Sequence, residues 1–231
     1  SEMEKKLKGH PYVKSPIDMA CWDIIGKNYK MPVWKLLGGK FGNQIHLYRA
    51  ISQEDPEIMK QKVQEYKQEG YTKFQLKVGG NYNEDIDRII SVSSVLDQNN
   101  ILIADANTGW KSHEALKVIK QTKNIDVYIE QPCETYRDCI EIRKKCSNPF
   151  ILDESIDSLS HFIQAYNDGA MDIINLKISK LGGIYKSKQI RDLCVELKIP
   201  MTIEDSWGGD IATAAISHLA HSTPEKFRFS S

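Results

Sequence analysis

Five ionisable residues, Lys77, Asp105, Glu130, Asp153 and Lys177, follow one another at gaps of 28, 25, 23 and 24 residues. Each closes a short apolar run: KFQLK, ILIAD, VYIE, FILD and IINLK. An interval of this size holds one strand, one helix and their two connecting loops. The chain therefore presents one charged side chain per βα unit, at the carboxyl end of the strand. Where such units close into a barrel, the strand ends converge on a single face, the one on which active sites of that architecture lie.

Helix and strand signals alternate from about residue 45 onward. HLYRAI (46–51) reads as a first strand, followed by a helix over DPEIMKQKVQEYKQEG (55–70). Asp55 is its N-cap, Pro56 suits its first turn and Gly70 stops it. KFQLKV comes next, then Gly79 and Gly80, then a helix through DIDRIISVSSVLDQ. The same order repeats through ILIAD, the helix SHEALKVIKQTK, VYIE, a helix over 136–146, FILD, a helix over 158–167 and IINLK. A helix over 183–198, PMTIED, a helix over 211–222 and FRF (227–229), the start of an eighth strand, complete the series. Strands that read as continuous Val, Ile and Leu runs are those buried on both faces of a parallel sheet. The expected fold is α/β, a TIM-type (β/α) barrel truncated at both ends. Residues 1–44 form a lead-in whose core is the apolar SPIDMACWDIIGKNYKMPVWKLL (15–37), and residues 45–231 form the barrel from strand one to the start of strand eight. An unclosed barrel would expose a sheet edge, so the chain reads as part of a longer protein.

Composition sets the outer limits. The 31 basic and 31 acidic side chains balance, which argues against a polyanionic partner such as nucleic acid. No apolar run reaches the roughly 18 residues of a bilayer span, and no signal-peptide pattern opens the chain; no membrane association is expected. The five cysteines are an odd number, with neither a CxxC pair nor disulfide spacing. They read as idle thiols in a reducing, cytoplasmic setting. The six histidines show no ligand spacing.

The chemistry is in the strand ends. Asp105, Glu130 and Asp153 end consecutive strands, three to five, and neighbouring strands lie about 5 Å apart. Three such carboxylates can share one hard cation, whereas without one they would repel and some would protonate. An all-oxygen set selects Mg²⁺, with Mn²⁺ as a substitute, over zinc. Asn107, two residues past Asp105, is placed to support that shell. The competing reading is that each carboxylate caps the helix after it. Lys77 and Lys177 end strands two and six, half-way round an eight-stranded barrel. In that geometry they face each other across the site, with a substrate α-carbon between them. Nearby cations and partial burial would depress a lysine pKa and supply a neutral base. One lysine takes the α-proton and the other returns it to the opposite face, which is racemisation or epimerisation through an enediolate.

FQLKVGG, ADANTGW, YIEQPC, LDES, NLKISKLGG and the lead-in together resemble the enolase superfamily, and within it the muconate lactonizing enzyme/mandelate racemase-type proteins. The resemblance covers essentially the whole chain. It implies a preceding α+β capping domain, magnesium ligands at Asp105, Glu130 and Asp153, acid/bases at Lys77 and Lys177, a small-molecule carboxylate as substrate and a homo-oligomer. The family often has Lys-x-Lys at strand two, whereas Gln75 stands here at the first position and carries no charge to tune Lys77. LYRAIS, KFQLKVGG with Gln75, and TIEDSWGGDIATAAISHLAHSTP resemble the branch containing proline-betaine and hydroxyproline-betaine epimerases and cis-3-hydroxyproline dehydratases.

Substrate contacts are expected from Gln75, Asn107, Asp205 and Trp207. Trp207 could stack on a quaternary ammonium, and Asp205 could meet a substrate amine or Lys177. Trp110 and Tyr48 either line the site mouth or pack in the core. Three readings follow: a Mg²⁺-dependent epimerase of a proline-derived betaine or amino acid, a dehydratase using the same five residues, and a barrel fragment that does not catalyse.

Overall fold

The computed structural model describes residues 2–206 and 208–231. In chain order the elements are α1 (Glu2–Lys6), α2 (Pro11–Tyr29), α3 (Val33–Leu36), β1 (Arg49–Ile51), α4 (Pro56–Gln68), β2 (Lys73–Lys77), α5 (Tyr82–Ser93) and β3 (Ile101–Asp105). Then come α6 (Ser112–Gln121), β4 (Val127–Glu130), α7 (Tyr136–Arg143), β5 (Phe150–Leu152), α8 (Leu159–Asn167), β6 (Ile173–Lys177) and α9 (Ile178–Leu181). The remainder is α10 (Ile184–Leu197), β7 (Met201–Glu204), α11 (Gly209–His221), a 3₁₀ turn over Glu225–Phe227 and β8 (Arg228–Ser230). The expected alternation of strand and helix is present from β1 to β8.

The chain divides into two compact units. One comprises Leu47–Ser155 with Gln164–Asp172; the other comprises Ser1–His46, Ile156–Ile163 and Ile173–Ser231. In the first, β1 to β5 pair in parallel, each with its chain neighbour. Phe74, Leu76, Leu102, Ala104, Ile129, Phe150 and Leu152 are fully buried there, each large side chain stabilising the fold by roughly 1.5–3 kcal/mol. Helix α4 forms as its sequence dictates: the Asp55 carboxylate accepts from the Glu57 N–H at 2.9 Å, Pro56 opens it, and Met59 and Val63, one turn apart, are buried. Helix α5 begins three residues before the expected start because Asn81 caps it, accepting from the Asn83 N–H at 3.0 Å.

In the other unit β6, β7 and β8 pair in parallel. The lead-in belongs to this unit because its own hydrogen bonds run to it. Ser15 Oγ and Ser179 Oγ are hydrogen-bonded at 3.2 Å, the Tyr185 N–H donates to Asp18 at 3.1 Å, and buried Arg191 donates to the Leu37 carbonyl at 2.9 Å. The short helix α9 was not expected; Gly182, at φ 91°, terminates it.

Candidate active site

Register sets Lys77, Asp105 and Glu130 side by side at adjacent strand ends in the first unit. Lys77 lies opposite Asp105 across the β2–β3 pair, and Asp105 lies opposite Glu130 across β3–β4. Asp153 is one residue beyond β5, two past the Ile151 that faces Glu130. Asp105, Glu130 and Asp153 are 0–1% exposed. Lys77 Nζ donates to Asp105 Oδ2 at 2.5 Å. The other Asp105 oxygen accepts from the Asn107 N–H at 2.9 Å.

Gln75, expected to touch substrate, is buried and donates from Nε2 to Glu130 Oε2 at 2.8 Å. Its partner is thus an expected metal ligand, reached across the intervening strand by the long glutamate side chain. Asn107 stands at φ 43°, in the left-handed region. Its amide donates to Glu154 Oε1 at 3.2 Å rather than pointing back at Asp105. Glu154, a residue with an exposed edge, has its carboxyl pKa raised, first by desolvation and then by the charges of Asp153 and Asp105. Sequence reading passed over Glu154, although it adjoins Asp153 in LDES. Four carboxyl groups therefore share this edge.

Such a collection of acids, three of them buried, needs compensating positive charge. Among the described residues no three carboxylate, imidazole or thiolate groups already converge as a metal-ligand set. Asp105 is turned to Lys77 and Glu130 to Gln75, and each would exchange or share that partner to reach a cation. The donors themselves fit a hard divalent ion: all oxygen, anionic, buried and on consecutive strands.

The loops beyond these strands are locked to each other. A Cβ on Gly79 would fall 2.1 Å from the Ala106 carbonyl oxygen, and one on Gly109 would fall 2.1 Å from the Gly79 carbonyl oxygen. Asp85, fully buried on α5, braces both loops. Its Oδ2 accepts from the Gly79 N–H at 2.9 Å and from Trp110 Nε1 at 2.8 Å, and its Oδ1 accepts from Arg88 at 2.8 Å. Trp110 is accordingly a core residue, 2% exposed, and of the two positions weighed for it the core is correct. Its indole N–H finds a buried carboxylate, as a buried tryptophan requires. Tyr48 is half-buried.

Lys177 ends β6 in the other unit, where it lies opposite Glu204 of β7. Its Nζ is 3.7 Å from Glu204 Oε1, and both side chains are largely buried. Asp205 serves α9: it accepts from the Ser179 N–H at 3.1–3.2 Å, from Ser179 Oγ at 2.6 Å and from its neighbour Ser206 N–H at 2.8 Å. Glu204, a carboxylate beside Lys177, is one that the sequence does not single out. Trp207 lies outside the described residues.

The remaining expectations are simpler. The cysteines are free thiols, four of them buried and Cys21 exposed. Burial pushes the Cys133 thiol up to about 11 and Cys139 to about 12, so neither is a nucleophile at neutral pH. Among the described residues no helix is long and apolar enough to cross a membrane.

Parallel strands, β1 to β7 each followed by a helix and several ending in an acid or a lysine, define an α/β protein of the TIM-type barrel class. Residues 58–230 match the enolase C-terminal domain-like family, and residues 1–38 match the mandelate racemase/muconate lactonizing enzyme N-terminal domain. The chain belongs to the mandelate racemase/muconate lactonizing enzyme family of the enolase superfamily. It is 57% identical, over 228 residues, to a cis-3-hydroxy-L-proline dehydratase of Roseibium aggregatum, covering 99% of this chain and 62% of that protein. An N-succinyl-L-Arg/Lys racemase of Bacillus cereus is 31% identical over 95% of this chain and 61% of its own length. A crystal structure of an enolase superfamily member from Roseovarius nubinhibens, complexed with magnesium, superposes with a TM-score of 0.93 at 37% identity, over 99% of this chain and 62% of that one. This chain thus spans 61–62% of the length of these proteins.

Proposed function

We propose that the intact protein removes the proton α to the carboxylate of a small cyclic amino acid and then expels a hydroxyl from the neighbouring carbon. What carries this reading is the strand-end set of Lys77, Asp105, Glu130 and Asp153: a base beside three buried carboxylates on consecutive strands. Asp105, Glu130 and Asp153 would hold the divalent cation, which when bound supplies positive charge to the substrate carboxylate and lowers the cost of charge developing there.

The chain's own residues do the rest. Lys77 and Lys177 are the candidate bases. One of them in its neutral form accepts the Cα proton on Nζ, and the electron pair left on carbon moves toward the carboxylate as an enediolate. The electrons then form the Cα–Cβ double bond as the Cβ–OH bond breaks, and a protonated group delivers the proton that makes the leaving group water. Gln75 orients Glu130 through its amide, and Glu204 steadies the Lys177 ammonium. Dehydration of a 3-hydroxyproline is favoured by the 57% identity to a dehydratase of that substrate class.

Epimerisation of a proline-derived betaine or amino acid is a second reading of the same residues. Its support is that both candidate bases end strands and each faces a carboxylate in register, with a racemase among the relatives. Incubating the intact protein with Mg²⁺ and cis-3-hydroxy-L-proline in D₂O, followed by mass spectrometry, separates the two. Loss of water is expected. Deuterium gain at Cα without loss of water would favour epimerisation, and neither change with either hydroxylated or N-methylated prolines would overturn the proposal.

A further inference from the structure

Gln131 follows Glu130 directly, is fully buried, and is bonded to three successive loops through both its backbone and its side chain. Its backbone N–H donates to the Ile151 carbonyl at 3.0 Å, and its carbonyl accepts from the Thr108 N–H at 2.9 Å. Side-chain Oε1 accepts two backbone N–H groups, from Asp153 at 3.1 Å and from Ser155 at 3.2 Å. Side-chain Nε2 donates to Ser155 Oγ at 2.8 Å and to the Cys133 carbonyl at 3.1 Å. The amide orientation follows from these partners, since its oxygen meets only donors and its nitrogen meets acceptors.

The backbone is unusual as well. Gln131 has φ 34°, a left-handed value that costs a non-glycine residue energy, and it precedes Pro132, which further restricts it. Such a conformation persists only where its surroundings hold it, and it bends the chain immediately after Glu130. The carbonyl so directed reaches the loop after Asp105, while the side chain reaches the amide of Asp153.

We infer that Gln131 is a positioning residue: it ties the loops after β3, β4 and β5 so that Asp105, Glu130 and Asp153 keep the mutual placement a divalent cation needs. This rests on the reading that those three carboxylates are the cation's ligands. The residue itself touches neither cation nor substrate; it acts through the Asp153 backbone and the turn after Glu130. Groups that orient metal ligands typically change affinity by about 10–100-fold when removed.

The test compares two buried amides at opposite ends of the β4–β5 pair. Asn148 donates to the Ile125 and Val127 carbonyls at 3.2 and 3.1 Å, at the end away from the carboxylates. Gln131→Leu, Asn148→Leu and Asp153→Asn are made in the intact protein. Mn²⁺ dissociation constants are measured by titration calorimetry, and metal-free melting temperatures by circular dichroism. Gln131→Leu is expected to weaken Mn²⁺ binding about tenfold or more, while Asn148→Leu, at whatever loss of melting temperature, leaves it within about twofold of wild type. Ser155→Ala, which removes a single bond to Nε2, gives a smaller weakening in the same direction and serves if Gln131→Leu does not fold. Binding lost in Asp153→Asn but unchanged in Gln131→Leu, or in Ser155→Ala when it stands in, would overturn the inference alone. So would weakening that follows melting temperature equally in Gln131→Leu and Asn148→Leu. Wild-type protein that binds no Mn²⁺, or Asp153→Asn that binds it as tightly as wild type, would overturn the cation reading and this inference with it.

Discussion

The β2–β3 and β6–β7 strand ends carry the same cross-strand pair, a lysine opposite a carboxylate, and hold it in different ways. Lys77 meets Asp105 at 2.5 Å, whereas Lys177 stands 3.7 Å from Glu204. The short aspartate is fixed on its other side by the Asn107 N–H, and the loops beyond it interlock through Gly79, Gly109 and Asp85. At β6–β7 the loop after the lysine is instead wound into α9 and held by Asp205. An identical register thus yields a tight, braced pair in one place and a looser one in the other. What differs is the loop beyond the strand and the reach of the acid.

The largest effect expected from breaking this comparison is on proton transfer. Lys77→Gln and Lys177→Gln should each slow Cα hydrogen exchange, followed by NMR in D₂O, by about a hundredfold or more. Equal losses for both substrate enantiomers would make the two strand ends equivalent, while loss from one variant alone would assign a single base. Next, Asp85→Ala leaves the Arg88 guanidinium without its fully buried carboxylate partner and removes the acceptor for Gly79 and Trp110. A cost of about 3–5 kcal/mol is expected in denaturant titrations, and a value under about 1 kcal/mol would show that the β2–β3 loops hold without it.

Asp205→Asn removes charge-assisted bonds from Ser179 at the other end. It should cost about 1.5 kcal/mol by the same measurement, less than Asp85→Ala because these bonds are only partly buried. The smallest effect concerns pH. His218 Nδ1 accepts from the Trp34 N–H at 3.3 Å, a bond that requires an unprotonated nitrogen. Burial, and then nearby His221, holds its pKa below the ordinary 6.5. Between the lowered folded value and 6.5 the unfolded chain takes up a proton that the folded chain refuses. Stability should therefore fall as pH drops below 6.5, and His218→Gln should flatten that part of a melting-temperature profile.

The repeating interval made the strand order and the strand-end acids legible, because a buried parallel strand must be an apolar run and its charged residue must sit at the end. Asp55, Pro56 and Gly70 gave helix α4 nearly to the residue, since capping is a local matter. Less local features were not legible. The bond from Gln75 to Glu130 could not be read, because nothing in the chain indicates that the glutamate reaches it across a strand. Asp85 and Gln131 each reach partners 24 or 25 residues away in sequence, and only the fold brings those together. Glu204 was overlooked beside Asp205 because adjacent acids in IEDS look alike until register places the first opposite Lys177.

The meeting of Gly79 and Gly109 bears on how this protein can change over generations. Each position leaves no room for a methyl group, because the other loop's backbone occupies it. Both positions are therefore held to glycine, and variation in these loops must fall at flanking positions. A library randomising residues 78–80 and 107–109 and selected for folded protein should return glycine at both 79 and 109 while its neighbours drift.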